Sequence, residues 1–433
     1  MLGPEQAQLQ PVRRVGRRPD RAGCRLTSLG GMVAQANRLK DVRYDIRGPV
    51  LRRAQELEAA GHRILKLNLG NPAPWGLNAP EPMVADVIHN LGAAEGYSDA
   101  RGIYSARVAV AQYYQTLGVE SVQPDDVFLG NGVSELIVMS LQALLNTGDE
   151  VLVPSPDYPL WTGAVTLCGG RAVHYRCDES QDWAPDLEHV AAQITPNTRA
   201  MVIINPNNPT GAVYSRETLL GLLEIARRHD LLVLSDEIYD KILYDGAVHE
   251  CAAALAPDLL VLTMSGLSKT YRAAGFRSGW MAISGPTANA GDYLEGLQLL
   301  ANMRLCPNVP AQHAVQTALG GYQSINQLIH PGGRLYEQRT HAWRKLNEIP
   351  GVDCVRPAGA LYLFARLDPA VHKIRDDQRM IIDLLEQQLL LLSHGTGFNL
   401  PTPDHLRMVF LAPVDVLDDA ITRLRRFLET YRQ

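Results

Sequence analysis

The stretch AMVIINPNNPTGAVYSRETLLGLLEIARRHDLLVLSDEIYD, residues 200–240, holds the unit on which the fold turns. An apolar run, Ala200 to Ile204, breaks at NPNNPTG, where two prolines and an asparagine pair impose a rigid turn. Hydrophobic residues then recur at helical spacing through SRETLLGLLEIARRHD, and a second apolar run, LLVLSDE, follows. Runs this short and this continuously apolar suit strands buried on both faces, the condition of a parallel sheet covered by helices.

The same alternation extends in both directions. DVFLGNG (126–132), EVLVPSP (150–156), LLVLTMSG (259–266) and GWMAIS (279–284) read as further strands, and SELIVMSLQALLNTGD (134–149) as a helix between two of them. Upstream, VRYDIRGPVLRRAQELEAAG (42–61) reads as a loop entering an amphipathic helix that stops at Gly61, and LKLNLGNP (65–72) as a short strand. Downstream of a helix beginning near Pro331 the character changes. GVDCVRPAGALYLFARL (351–367) looks like a strand pair, QRMIIDLLEQQLLLLS (378–393) like a helix, HLRMVFLA (405–412) like a strand, and the C-terminal 415–433 like an amphipathic helix. The expected organisation is an α/β protein with a mainly parallel sheet in a large domain over 81–334. A smaller α+β domain over 335–433 is completed by the N-terminal arm, 32–80.

Composition excludes several classes. A net charge of −5 leaves no basic footprint for nucleic acid. The six cysteines are scattered without a CxxC pair, which argues against a zinc site or disulfide framework and for free thiols in a reducing cytoplasm. The densest apolar stretch, LIVMSLQALL (136–145), is too short to span a membrane. Residues 1–31 carry six arginines against Glu5 and Asp20 and read as an unstructured basic tail, or an over-extended start ahead of Met32, with a targeting segment or a nucleic-acid contact as the alternative.

The polar residues that could carry chemistry cluster at strand ends, where ligands bind in open α/β sheets. SGLSKTYRAAGFRSGW (265–280) places Lys269 in a small, hydroxyl-rich turn and Arg277 eight residues later, an arrangement suited to an imine-forming lysine beside a phosphate. SDEIYD puts Asp236 and Tyr239 at the end of a strand: a carboxylate there can pair with a protonated ring nitrogen or simply cap a helix. NPNNPTG presents Asn208, and GNGVSE offers backbone N–H groups at a helix start around Gly132, Val133 and Ser134. The last is not a dinucleotide fingerprint, because Glu135 stands where the third glycine would be. Tyr158, in SPDYPLW, could stack on a planar ring. Arg407 lies in an otherwise apolar strand and needs an anion, either a structural carboxylate or a substrate's.

Taken together these residues resemble the fold-type I, class I aminotransferases that use pyridoxal 5'-phosphate, from about Arg43 to the C-terminus. Within that family LNLGNPAPWG, GYSDARGIYSAR, PSPDYPLWT, INPNNPTGAVYS, GLSKTYRAAGFRSGWM and GGYQSINQ are similar to the bacterial alanine aminotransferases of the glutamate–pyruvate type. The resemblance implies a seven-stranded large-domain sheet. It makes Lys269 the Schiff-base lysine and proton shuttle, Asp236 the partner of the pyridine nitrogen, and Tyr239 and Asn208 the partners of the ring phenolate. Tyr158 would stack on the ring, and Gly132, Val133, Ser134, Ser268 and Arg277 would hold the phosphate. Tyr97 matches a tyrosine that reaches the neighbouring subunit's phosphate, which implies a homodimer with shared sites. Arg407 and Gly70 would bind the substrate α-carboxylate, with Tyr44 and Arg47 near its side chain. Two departures stand out: Gly266 replaces a serine found in many relatives, and 391–415 fits the subgroup loosely.

The implied reaction is ping-pong transamination of L-alanine and 2-oxoglutarate to pyruvate and L-glutamate, with amino acids and 2-oxo acids as partners and no metal. A broader aromatic or branched-chain aminotransferase, or a lyase such as a β-eliminating enzyme, would use the same cofactor shell. A non-enzymatic sensor of this fold would need a DNA-binding domain, for which the tail is too short.

Overall fold

In the computed structural model, which describes residues 34–40, 42 and 48–433, the 200–240 stretch folds as strand Thr198–Ile204, helix Arg216–Arg228 and strand Leu232–Asp236. The helix begins where Ser215 Oγ accepts from the Thr218 N–H at 3.1 Å. Leu219, Leu222, Leu223 and Ala226 form one buried stripe at i, i+3, i+4 and i+7. Each leucine so buried stabilises by about 1.5–3 kcal/mol, whereas removing the Ser215 cap would cost about 1 kcal/mol. The basic tail, Tyr44 and Arg47 lie outside the described residues. Those from Arg38 onward form one compact unit.

Along the chain the strands are β1 (Leu65–Lys66), β2 (Val127–Gly130), β3 (Glu150–Ser155), β4 (Arg171–Asp178), β5 (Ala184–Pro185), β6 (Thr198–Ile204), β7 (Leu232–Asp236), β8 (Val261–Gly266) and β9 (Gly279–Ser284). They continue as β10 (Val352–Cys354), β11 (Tyr362–Leu367), β12 (Leu390–Leu391), β13 (Ser393–His394) and β14 (His405–Val409). β2 to β9 make one sheet in the order β2-β9-β8-β7-β6-β3-β4-β5. β8, β7, β6, β3 and β4 run parallel, and β9 is antiparallel to both its neighbours. The seven strands implied by the resemblance are present. An eighth, β5, adds two residues at the edge.

Successive residues of the inner strands enter different cores. Met201, Ile203 and Val233 pack on one face with helices Tyr104–Thr116 and Arg216–Arg228. Val202, Ile204, Leu232 and Leu234 pack on the other with helices Val133–Leu144, Leu160–Leu167 and Gly291–Met303. This two-sided burial explains the unbroken apolar runs.

A separate antiparallel sheet, β10-β11-β14-β13, packs with helices Arg334–Asn347, Asp377–Gln388 and Val414–Thr430. Val50, Ala54 and Leu67 from the N-terminal side share its core. The expected strand at 65–72 shrinks to β1, which pairs in parallel with β12 rather than joining the large sheet. The helix expected over 378–393 ends at Gln388, because Leu389 turns to φ 50°, after which Leu390 and Leu391 pair as β12 and Ser393 and His394 as β13. β4 went unread: Arg171, His174 and Arg176 interrupt its apolar pattern, since this near-edge strand is only half covered.

Candidate active site

Three neighbouring strand ends bring the predicted residues together. In the register of the sheet Ile204 lies beside Asp236, and Asp236 beside Met264. The turns after β6, β7 and β8 therefore deliver Asn208, Tyr239 and Lys269 to one cavity of about 890 Å³. Gly70, Val133, Ser134, Tyr158, Asn208, Asp236, Tyr239, Ser268, Lys269, Arg277 and Arg407 all line it. Tyr97 does not: it is 83% exposed on the outer surface of the chain.

Asp236 lies at the floor, buried, its Oδ2 accepting from Trp161 Nε1 at 3.2 Å and its Oδ1 from the Ile238 N–H at 3.3 Å. Burial pushes its carboxyl up to about 6 despite those two donors. A cation arriving in the cavity would restore the ionised form. Lys269, half-buried, donates from Nζ to the Gly70 carbonyl at 2.8 Å.

At one end the helix Val133–Leu144 begins after Gly132, whose φ of 82° and ψ of 166° suit glycine alone. A Cβ on Gly132 would stand 2.4 Å from Arg277 Nη2. Arg277 crosses this helix start, donating to the carbonyls of Asn131 at 3.0 Å and Ala274 at 2.9 Å. Ser134, Ser268 and Arg277 line the same cavity as this helix start, and donors of these kinds suit an anion. Gly266 has a packing reason. It faces Gly279 across β8 and β9, and a Cβ there would come within 2.8 Å of the Gly279 Cα. The serine of relatives has no room at this point of the sheet.

At the other end Arg407, buried on β14, donates from Nη1 to Asn208 Oδ1 at 2.8 Å and from Nη2 to the Asn68 carbonyl at 2.5 Å. Its guanidinium carbon lies 4.4 Å from the ring centres of both Tyr362 and Phe398. The Tyr362 and Tyr239 hydroxyls meet at 2.5 Å, their rings edge to face. Burial first, and Tyr362 second, hold the Tyr239 hydroxyl well above its ordinary value, so it stays a donor. Because Asn208 Oδ1 is occupied by Arg407, the amide's N–H groups are what it can offer a ligand. Gly70 is required here too, since a Cβ on it would stand 2.5 Å from the Tyr362 hydroxyl oxygen.

Sequence reasoning missed Trp161, Tyr362, Phe398 and the Asn68 carbonyl. Trp161 sits three residues after Tyr158, in a motif already singled out. Tyr362 and Phe398 gave no local signal, because the partner that distinguishes them, Arg407, is brought in by the fold.

Comparison with known proteins agrees with this geometry. A family model described as aminotransferase class I and II matches residues 64–424. The glutamate–pyruvate aminotransferase AlaA of Escherichia coli (strain K12) is 59% identical over 401 residues, covering 93% of this chain and 99% of that protein. The alanine aminotransferase of Mycobacterium tuberculosis (strain H37Rv) is 60% identical over 401 residues, covering 92% and 94%. Among solved structures, an aminotransferase from Escherichia coli superposes with a TM-score of 0.92 at 59% identity, covering 93% of this chain and 99% of its own. An alanine aminotransferase from Pyrococcus furiosus superposes with a TM-score of 0.86 at 36% identity, covering 92% and 100%. The chain belongs to the class I and II aminotransferases.

Proposed function

We propose that this aminotransferase binds pyridoxal 5'-phosphate in the cavity and exchanges an amino group between L-alanine and 2-oxoglutarate, giving pyruvate and L-glutamate. The observation that carries the reading is the meeting of Lys269, Asp236 and Arg407 on one cavity, each from a different strand end or strand. The residues fit the cofactor. A buried carboxyl raised to about 6 suits a ring nitrogen that arrives protonated, and the cradle that a Gly132 Cβ would fill suits a phosphate against Arg277. Identity of 59–60% to enzymes named for glutamate–pyruvate and alanine transamination supports the substrate pair.

When bound, the cofactor supplies an electron-accepting ring that stabilises negative charge at the substrate's α-carbon. Asp236 would keep the proton on its ring nitrogen, Tyr239 and Asn208 would donate to its ring oxygen, and Tyr158 would pack against the ring. Gly132, Val133, Ser134, Ser268 and Arg277 hold its phosphate. Arg407 receives the substrate α-carboxylate through its planar fork, stiffened by Tyr362 and Phe398, with Gly70 leaving room beside it. Lys269 Nζ would hold the cofactor, and as a free amine beside the substrate it would take the α-proton as general base and return a proton as general acid.

The sheet-built body over 81–334 and the part over 335–433, joined by the N-terminal arm, are read as a large and a small domain. Exposed Tyr97, Tyr104 and Met303 support a homodimer in which Tyr97 completes the partner's site. Among the described residues no helix is long and apolar enough to cross a membrane. We place the enzyme in the cytoplasm on its free thiols. A survey of single amino acids on the purified holoenzyme tests the reading. L-alanine and L-glutamate should convert the cofactor fastest, each with release of its 2-oxo acid. Faster conversion by aromatic or branched-chain amino acids would refute the substrate pair, and release of ammonia would refute transamination.

A further inference from the structure

Behind the cavity wall, one residue before Tyr158, lies a fully buried carboxyl group to which the mechanism above gives no role. Asp157 is 0% exposed. Its Oδ1 accepts from Asn399 Nδ2 at 2.6 Å and its Oδ2 from Thr162 Oγ1 at 2.8 Å. Its main-chain N–H donates to the Phe398 carbonyl at 3.0 Å, and Ser155 Oγ donates to the Asn399 carbonyl at 2.9 Å. Three bonds from the end of β3 thus converge on two consecutive residues of the segment that precedes β14. One of these, Phe398, is buried with its ring 4.4 Å from the Arg407 guanidinium carbon. The other, Asn399, sits at φ 58°, a conformation that asparagine adopts more readily than most residues.

We infer that Asp157 is a positioning residue for the carboxylate subsite: by pinning Asn399 and Phe398 it fixes the ring against which the Arg407 fork is aimed. This rests on the reading of Arg407 given above. An aromatic wall held at one point only would let the guanidinium tilt, and a bidentate contact tolerates little tilt. The other wall, Tyr362, lies on β11 and is held within the small sheet. Phe398 is the wall that the large sheet holds, through the Asp157 main chain directly and, by way of the adjoining Asn399, through the Asp157 carboxyl and Ser155.

The requirement is for a shape that accepts from Asn399 more than for a charge. Burial pushes the Asp157 carboxyl up to about 7 against the pull of Asn399 and Thr162, so an uncharged amide of the same outline is a close substitute. In Asp157→Asn the amide oxygen still accepts from Asn399 and the NH2 donates to Thr162 Oγ1. Thr162 can then turn its proton to His174 Nε2, 2.9 Å away.

The test uses the pyridoxal-phosphate-loaded enzyme and glutarate, a dicarboxylate with the chain length of 2-oxoglutarate, titrated by calorimetry, with cofactor affinity measured separately. Asp157→Ala and Asn399→Ala should each raise the glutarate Kd by about tenfold, the double variant no further, and Asp157→Asn by less than twofold. The cofactor Kd should change less than twofold throughout. Should Asp157→Ala fail to fold, Asn399→Ala, at a half-buried position, carries the same expectation. Unchanged glutarate affinity in either alanine variant, with affinity lost in Arg407→Ala, would overturn the inference. So would a parallel loss of cofactor and glutarate binding, which is what a general packing role would give. Unchanged affinity in Arg407→Ala would instead overturn the carboxylate reading on which the inference stands.

Discussion

Gly132→Ala puts the candidate anion site under a controlled load. At φ 82° and ψ 166° an alanine is strained by about 1–3 kcal/mol. Its Cβ would also stand 2.4 Å from Arg277 Nη2. The backbone here opens the helix Val133–Leu144 and cannot retreat without disturbing it, so the guanidinium must withdraw by roughly 1 Å to ordinary contact. On the proposed reading, displacement would cost Arg277 a charge-assisted bond to the phosphate, worth about 1.5–3 kcal/mol, which predicts a pyridoxal phosphate Kd raised roughly 10- to 100-fold. The cofactor-free protein should lose only the strain term. Fluorescence titration gives the first quantity and urea unfolding of the cofactor-free chain the second. An Arg277→Ala background separates the causes: there, alanine at 132 should weaken cofactor binding little further. Wild-type affinity in Gly132→Ala, or a full additional loss in the double variant, would refute the reasoning.

Further expectations follow from the same geometry. Lys269→Ala should abolish turnover yet still bind cofactor through Asp236, Arg277 and the helix start; wild-type-like turnover would refute its role. In the cofactor-free protein the raised Asp236 carboxyl stabilises most below about pH 4, and that contribution is lost as pH rises through about 6. Relative to wild type, cofactor-free Asp236→Asn should therefore gain roughly 3 kcal/mol between those limits; parallel stability curves from urea unfolding would contradict this. Arg407→Lys keeps the charge and loses the fork, so the 2-oxoglutarate KM should rise by roughly 10- to 100-fold. An unchanged KM in steady-state assays would move the carboxylate site elsewhere.

What could be read before folding was whatever local chemistry dictates. Strands buried on both faces must be continuously apolar, so β3, β6, β7, β8 and β9 announced themselves, and the polar residues ending them marked the cavity. β4 did not, because a half-covered strand carries Arg171, His174 and Arg176 among its apolar residues. The helix read over 378–393 ran too far because Leu390 to Leu392 suit a helix interior as well as a strand, and pairing with β1 decides between them. In the site, Lys269, Asp236 and Arg407 stood out as charges in apolar or strand-end settings. Tyr362 and Phe398 look like ordinary core aromatics until Arg407 is placed between them, and Asp157 resembles a turn residue until Asn399 arrives from more than two hundred positions away.

Two of the three cations that line the cavity rest on main-chain oxygens of one short stretch, Lys269 on Gly70 and Arg407 on Asn68. A substitution at Leu69, between the two, leaves both acceptors in the chain whatever side chain it installs. A change in chain length is different. Inserting or deleting a single residue between Leu67 and Asn71 would shift the two oxygens relative to their cations together. This stretch should therefore tolerate a changed side chain at Leu69 better than any change of length.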